Sequence, residues 1–96
     1  MVRKYEIAFL LREGEVVKKT IERIKEYLDG VGASLEKEND MGTRKLAYDI
    51  IKNREVFPKA FYYFINVEAD TLALPDFETK LKYDEDVIRH MVIRED

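Results

Sequence analysis

The chain has 96 residues, 39% of them charged and 46% apolar, with a net charge of −3, which is the size of one folded unit and predicts a single domain over residues 1–96. It has no cysteine, which excludes disulfides, thiolate catalysis and cysteine-held zinc or iron–sulfur centres. No apolar run approaches the ~20 residues of a membrane helix, and the start Met1-Val2-Arg3-Lys4-Tyr5-Glu6 does not read as a secretory signal. A cytoplasmic protein with no membrane partner is expected.

Residues 5–11 alternate as a strand, with Tyr5, Ile7, Phe9 and Leu11 on one face; Ala8 and Leu10 are also apolar, so the strand is read as central. A helix follows over about 15–31, where Val17, Ile21, Ile24, Leu28 and Val31 make one apolar stripe and Gly30 and Gly32 supply the stop. Residues 33–51 are read as one long second strand kinked near Gly42, with two strands joined at Asn39-Asp40 as the alternative. Residues 52–59 read as a polar loop, because Pro58 disfavours strand before residue 59. Residues 60–68 are the strongest strand: Phe61, Tyr63, Ile65 and Val67 form one face, Tyr62, Phe64 and Asn66 the other. Asp70-Thr71 offers a helix cap ahead of the Leu74, Phe77, Leu81 stripe, with Pro75 in the first turn. Tyr83-Asp84-Glu85-Asp86 reads as a solvated turn, and residues 87–94 as the last strand.

The order β-α-β-β-α-β, with right-handed crossovers, predicts an α+β, ferredoxin-like sandwich: a four-stranded antiparallel sheet with two helices on one face. The first and third strands are central and the other two are edges. If the first helix covers Ile7, Phe9, Ile65 and Val67, then Tyr62 and Phe64 belong to the open face, where a protein partner is a better explanation than base stacking. The glycine-aromatic signature of an RNA-recognition-motif third strand is missing.

Catalytic constellations are thin. His90 is the single histidine, no glycine-rich phosphate loop exists, and the acids at 84–86 lack calcium-loop spacing. No catalytic residue, metal, cofactor or small-molecule substrate is expected, and the chain is read as a non-enzyme. Charge is unevenly spread. Residues 1–12 carry three bases against one acid and residues 41–60 five against two, whereas 61–86 carry two against seven. Two basic segments in an acidic background suit a local phosphate contact rather than a coat of RNA.

Four stretches resemble the bacterial small-subunit ribosomal protein S6 family: Arg3-Lys4-Tyr5-Glu6-Ile7; Gly42-Thr43-Arg44-Lys45-Leu46-Ala47-Tyr48-Asp49-Ile50; Lys59-Ala60-Phe61-Tyr62 running on to Asn66-Val67-Glu68; and Asp86-Val87-Ile88-Arg89-His90-Met91-Val92-Ile93-Arg94. Met41 stands where that family usually has tryptophan, the segment Asn53–Pro58 is slightly long, and the chain stops at Asp96 without the tail many members carry. The resemblance implies a ribosome-associated structural protein that binds the central domain of small-subunit rRNA as a heterodimer with ribosomal protein S18. On that footing Arg3, Lys4, Arg44, Lys45, Arg89 and Arg94 are the expected rRNA contacts, and Tyr62 and Phe64 the expected contacts with the protein partner. Two rivals differ in class. A regulatory ferredoxin-like module would bind a metabolite and self-associate; an acylphosphatase-like hydrolase would need a better anion cradle than Arg12-Glu13-Gly14.

Overall fold

The computed structural model describes residues 1–95; Asp96, the last residue of the expected domain, lies outside them. The elements run β1 (Val2–Leu11), α1 (Val16–Gly30), β2 (Ser34–Lys52), β3 (Glu55–Asp70), α2 (Leu74–Lys82) and β4 (Val87–Arg94). The strands form one antiparallel sheet in the order β2-β3-β1-β4, so β1 and β3 are central and β2 and β4 are edges, as the sequence order predicts.

Strand alternation sets the two faces. The odd residues Tyr5, Ile7, Phe9 and Leu11 of β1 lie opposite Val67, Ile65, Tyr63 and Phe61 of β3. They pack with Ile24 and Leu28 of α1 and Phe77 and Leu81 of α2 into the main core. Side chains such as Ile7, Ile65, Ile24 and Leu81 are fully buried, each worth about 1.5–3 kcal/mol relative to exposure. Helix α1 ends where predicted: Gly32 takes φ +75°, and the N–H groups of Gly32 and Ala33 donate to the Asp29 and Leu28 carbonyls. Helix α2 departs from expectation at its start. Its N-cap is Ala73, without a side-chain hydrogen bond, because the Asp70 carboxylate instead accepts from the Leu72 N–H in a tighter turn upstream.

The long second strand is continuous, with a register shift between Asp40 and Gly42 and φ +80° at the glycine. The expected loop at 52–59 is wrong: β3 begins at Glu55, and Lys52 pairs with Glu55 across a two-residue turn. Asn53 and Arg54 carry φ 53° and 65°, the pair of positive values that a type I′ hairpin turn requires. The usual Asn-Gly signature is replaced by Asn-Arg, which is why the hairpin was not legible. Pro58 is accommodated inside β3 because the ladder is interrupted there, between the pairs Lys45–Lys59 and Ile50–Phe57.

That interruption has a structural consequence. Beyond it the hairpin bends over the sheet face away from the helices. Ala60 and Leu10 belong to that face by register, and Ala60 is fully buried. They cluster with Leu46, Ile50 and Phe57 of the hairpin and Ile88 of β4 in a second, smaller core. The second face is thus covered at one end.

Arg54 in the left-handed region is strained relative to glycine by ~1 kcal/mol. Arg54→Gly should therefore raise the unfolding free energy by about 0.5–1 kcal/mol, less what the extra unfolded-state freedom of glycine removes. Urea denaturation of the two proteins checks this; a variant less stable than the parent contradicts the turn assignment.

Candidate nucleic-acid and partner interface

The face away from the helices is built from the even residues of β1 and β3 and their neighbours. Across the strands, Gly42, Tyr62, Leu10 and Arg89 form one row, Asn39, Phe64, Ala8 and Met91 the next, and Lys37, Asn66, Glu6 and Ile93 the third. Tyr62 and Phe64 are half-buried on this face rather than beneath a helix, while Met91 and Ile93 beside them are 60% and 49% exposed. The result is an apolar strip across β3, β1 and β4. Its lower end is polar: Asn66 donates to the Glu95 carboxylate, and Lys4 lies opposite Glu68.

The six expected rRNA contacts do not form one patch. Lys4, Arg44 and Arg89 have the parity of the open face, whereas Arg3, Lys45 and Arg94 have that of the helix side. Lengthwise they divide again. Arg3, Lys4 and Arg94 sit at the end where β1 starts and β4 stops; Arg44, Lys45 and Arg89 sit toward the bent hairpin. Lys4 and the row of Arg89 are six residues apart on β1, about 20 Å at ~3.4 Å per residue. At the hairpin end, Lys45 lies directly opposite Lys59. Facing like charges on adjacent strands are destabilising unless an anion or solvent separates them. Arg44 Nε reaches only the Met41 carbonyl, at 3.5 Å.

Several charged residues are withdrawn from any such role, which the sequence did not reveal. Asp84, expected in a solvated turn, has a buried carboxylate. It accepts two hydrogen bonds from Arg23, at 2.9 and 3.0 Å, one from the Tyr27 hydroxyl at 2.7 Å and one from the Asp86 N–H at 3.0 Å. Arg23 and Arg12 share Asp86, and Arg12 also bonds Glu55 and lies 5.0 Å over the Phe57 ring. Lys52 donates to the carbonyls of Asp84 and Val87. These bonds tie α1, the α2–β4 turn and the bent hairpin together at one corner. Arg12 is consumed by its two carboxylates, which leaves Arg12-Glu13-Gly14 no anion cradle. Burial pushes the Asp84 carboxyl up, but the hydrogen bonds from Arg23, Tyr27 and the Asp86 N–H outweigh it and hold it below the usual carboxylate range. Among the described residues, no group of three or more histidine or acidic side chains is placed to hold a metal.

The family model for ribosomal protein S6 matches residues 4–94. A 30S ribosomal protein S6 from Thermotoga maritima superposes with a TM-score of 0.86 at 27% identity, over 99% of this chain and 89% of that one. An uncharacterized protein from the same organism matches over 100% of both chains at a TM-score of 0.59 and 14% identity, a likeness of fold alone.

Asp84→Asn should cost about 2 kcal/mol at neutral pH, since it removes one charge of a buried pair whose arginine is partly solvated. The sign of the acid dependence follows from the lowered carboxyl. The wild-type contribution is complete above the unfolded value of ~3.9 and is lost as pH falls through the lower folded value. Chemical denaturation between pH 7 and pH 2 should show the difference between wild type and variant shrinking below about pH 4; a constant gap would contradict it.

Proposed function

This chain belongs to the ribosomal protein S6 family and is a small-subunit ribosomal protein; from that premise we propose that it binds the central domain of small-subunit rRNA in company with ribosomal protein S18. It acts there as a structural constituent rather than an enzyme, in the cytoplasm, with residues 1–96 serving as one domain. The observation that carries this reading is the apolar strip of Tyr62, Phe64, Ala8, Met91 and Ile93, half-buried to exposed on the sheet face away from the helices. Exposed aromatic and aliphatic side chains aligned on one sheet face are what a protein partner desolvates.

The assignment of roles follows the geometry. Tyr62 and Phe64 lie at the middle of the strip, where binding energy concentrates, and are assigned to S18. Arg44 borders the strip at the hairpin end and Arg89 one row nearer its middle on β4, while Lys45 follows Arg44 with its side chain on the helix side. Arg3, Lys4 and Arg94 serve the other end. With a spacing of about 20 Å between the ends, the two groups meet separate stretches of RNA backbone. The net charge of −3 explains why a partner is needed: the chain has local cationic sites, not a basic surface, and a basic partner supplies the rest of the field.

Two measurements test this. Phe64→Ala should weaken binding to S18 about tenfold or more, as loss of a central aromatic anchor does, with circular dichroism checking that the sheet remains folded. The double variant Arg44→Ala, Lys45→Ala should lower the affinity of the heterodimer for a central-domain RNA fragment and flatten its salt dependence by about one to two counterions. Wild-type heterodimer binding that is insensitive to salt would refute the phosphate contacts.

A further inference from the structure

The last residue pair before the ladder between β2 and β3 breaks is Lys45 opposite Lys59. Both side chains are exposed, and both have the parity of the helix side. Directly opposed residues on adjacent strands carry their Cβ atoms about 5 Å apart, so two ammonium groups share one small area of surface. Among the described residues, neither lysine has an ion pair or a hydrogen bond through its side chain. Of the two acids between them in the chain, Glu55 is held by Arg12 and Asp49 pairs with neither. The two stems rise from a fixed base. Beside the pair, Arg44 lies opposite Ala60 and Thr43 opposite Phe61; Ala60 is fully buried and Phe61 packs on the main core. The spacing of the two charges is therefore set by the fold before any ligand arrives.

Facing like charges destabilise a strand pair, and among the described residues no counter-charge meets these two. An anion that accepts from both ammonium groups at once removes that repulsion, and a phosphodiester has two free oxygens with which to do so. We propose that Lys45 and Lys59 form a two-lysine clamp for one phosphate of the rRNA backbone, on the side of the hairpin away from the apolar strip. An RNA strand fits better than an acidic side chain of a partner protein, because further cations stand along the same hairpin. Arg44 points to the opposite face with only a backbone carbonyl in reach, and Arg54 is exposed at the turn. Spaced positive charges match a polyanion, whereas a single carboxylate answers one of them. The inference rests on the rRNA-binding reading above and deepens it in two ways. Lys59 is not among the expected contacts, and Lys45 acts with Lys59 across the strands rather than with its chain neighbour Arg44.

The test is a double-mutant cycle on Lys45→Gln and Lys59→Gln, in the heterodimer with S18 on a central-domain RNA fragment. Lys80→Gln, on the exposed side of α2, is the charge-matched control. Lys59→Gln should weaken binding about three- to tenfold and lower the salt slope by about one, while Lys80→Gln stays within about twofold. The double variant should lose less than the product of the two single losses, because one lysine left alone holds the phosphate poorly. In the free chain, Lys59→Gln should unfold at a higher urea concentration than wild type, since the lysine repulsion is relieved; a lysine with only a structural role would move stability and RNA affinity in the same direction. An effect of Lys59→Gln on RNA no larger than that of Lys80→Gln overturns the clamp and leaves RNA binding itself intact. Multiplicative losses at Lys45 and Lys59 overturn the shared phosphate. Weakened S18 binding with RNA affinity unchanged overturns it as well and reassigns the pair to an acidic partner surface. No binding by the wild-type heterodimer would sink the rRNA reading together with the clamp.

Discussion

Two short helices cover only one face of a four-stranded sheet, and this shortage of cover governs the rest of the molecule. The odd residues of β1 and β3 are satisfied by α1 and α2. The even residues of the same strands are also largely apolar, and a face of that kind is left to be covered from elsewhere. The chain covers part of it by itself, by bending the end of its own hairpin over Leu10 and Ala60. What remains uncovered, from Tyr62 to Ile93, is the part available to another protein.

The bend depends on two devices that act together. The break in the ladder opposite Pro58 lets the hairpin change direction without leaving a central strand unpaired. The charged corner then holds the bent end in place, with Lys52 and Glu55 of the hairpin reaching the α2–β4 turn and Arg12. Desolvated charges are tolerable here because each has several partners; Asp84 alone accepts from Arg23, Tyr27 and a backbone N–H. The same arrangement explains why charges that look free in a linear reading are not available to RNA. Tyr63 follows this logic on the helix side: its hydroxyl, 2.6 Å from Glu38, gives a buried ring a polar outlet at the sheet edge, and Lys25 completes the site from α1.

Function in such a protein is a matter of where charge is left over after folding has used what it needs. Arg12, Arg23 and Lys52 are consumed internally. Arg44 and Arg89 stand on exposed strand positions with the parity of the apolar strip, and Lys45 with Lys59 opposite on exposed positions of the other parity. A chain of net charge −3 is compatible with RNA binding because the field of these strand cations acts locally, whatever the sum over the chain.

The order of elements, the identity of the central strands and the inward face of each were legible from alternation and helical stripes alone, because local periodicity records which side of a strand or helix meets a core. The open-face placement of Tyr62 and Phe64 followed from the same parity. The hairpin at Asn53-Arg54 was not legible, since its positive φ values are carried by residues without the glycine that marks such turns. Nor was the division of the cations, or the role of Asp84. Whether Arg12 meets Glu55 and Asp86, or Arg23 meets Asp84, depends on strands and helices distant in the chain arriving side by side. Sequence patterns report a residue's own element; the pairing of charges is decided by how separate elements pack, so it exists only in the tertiary structure.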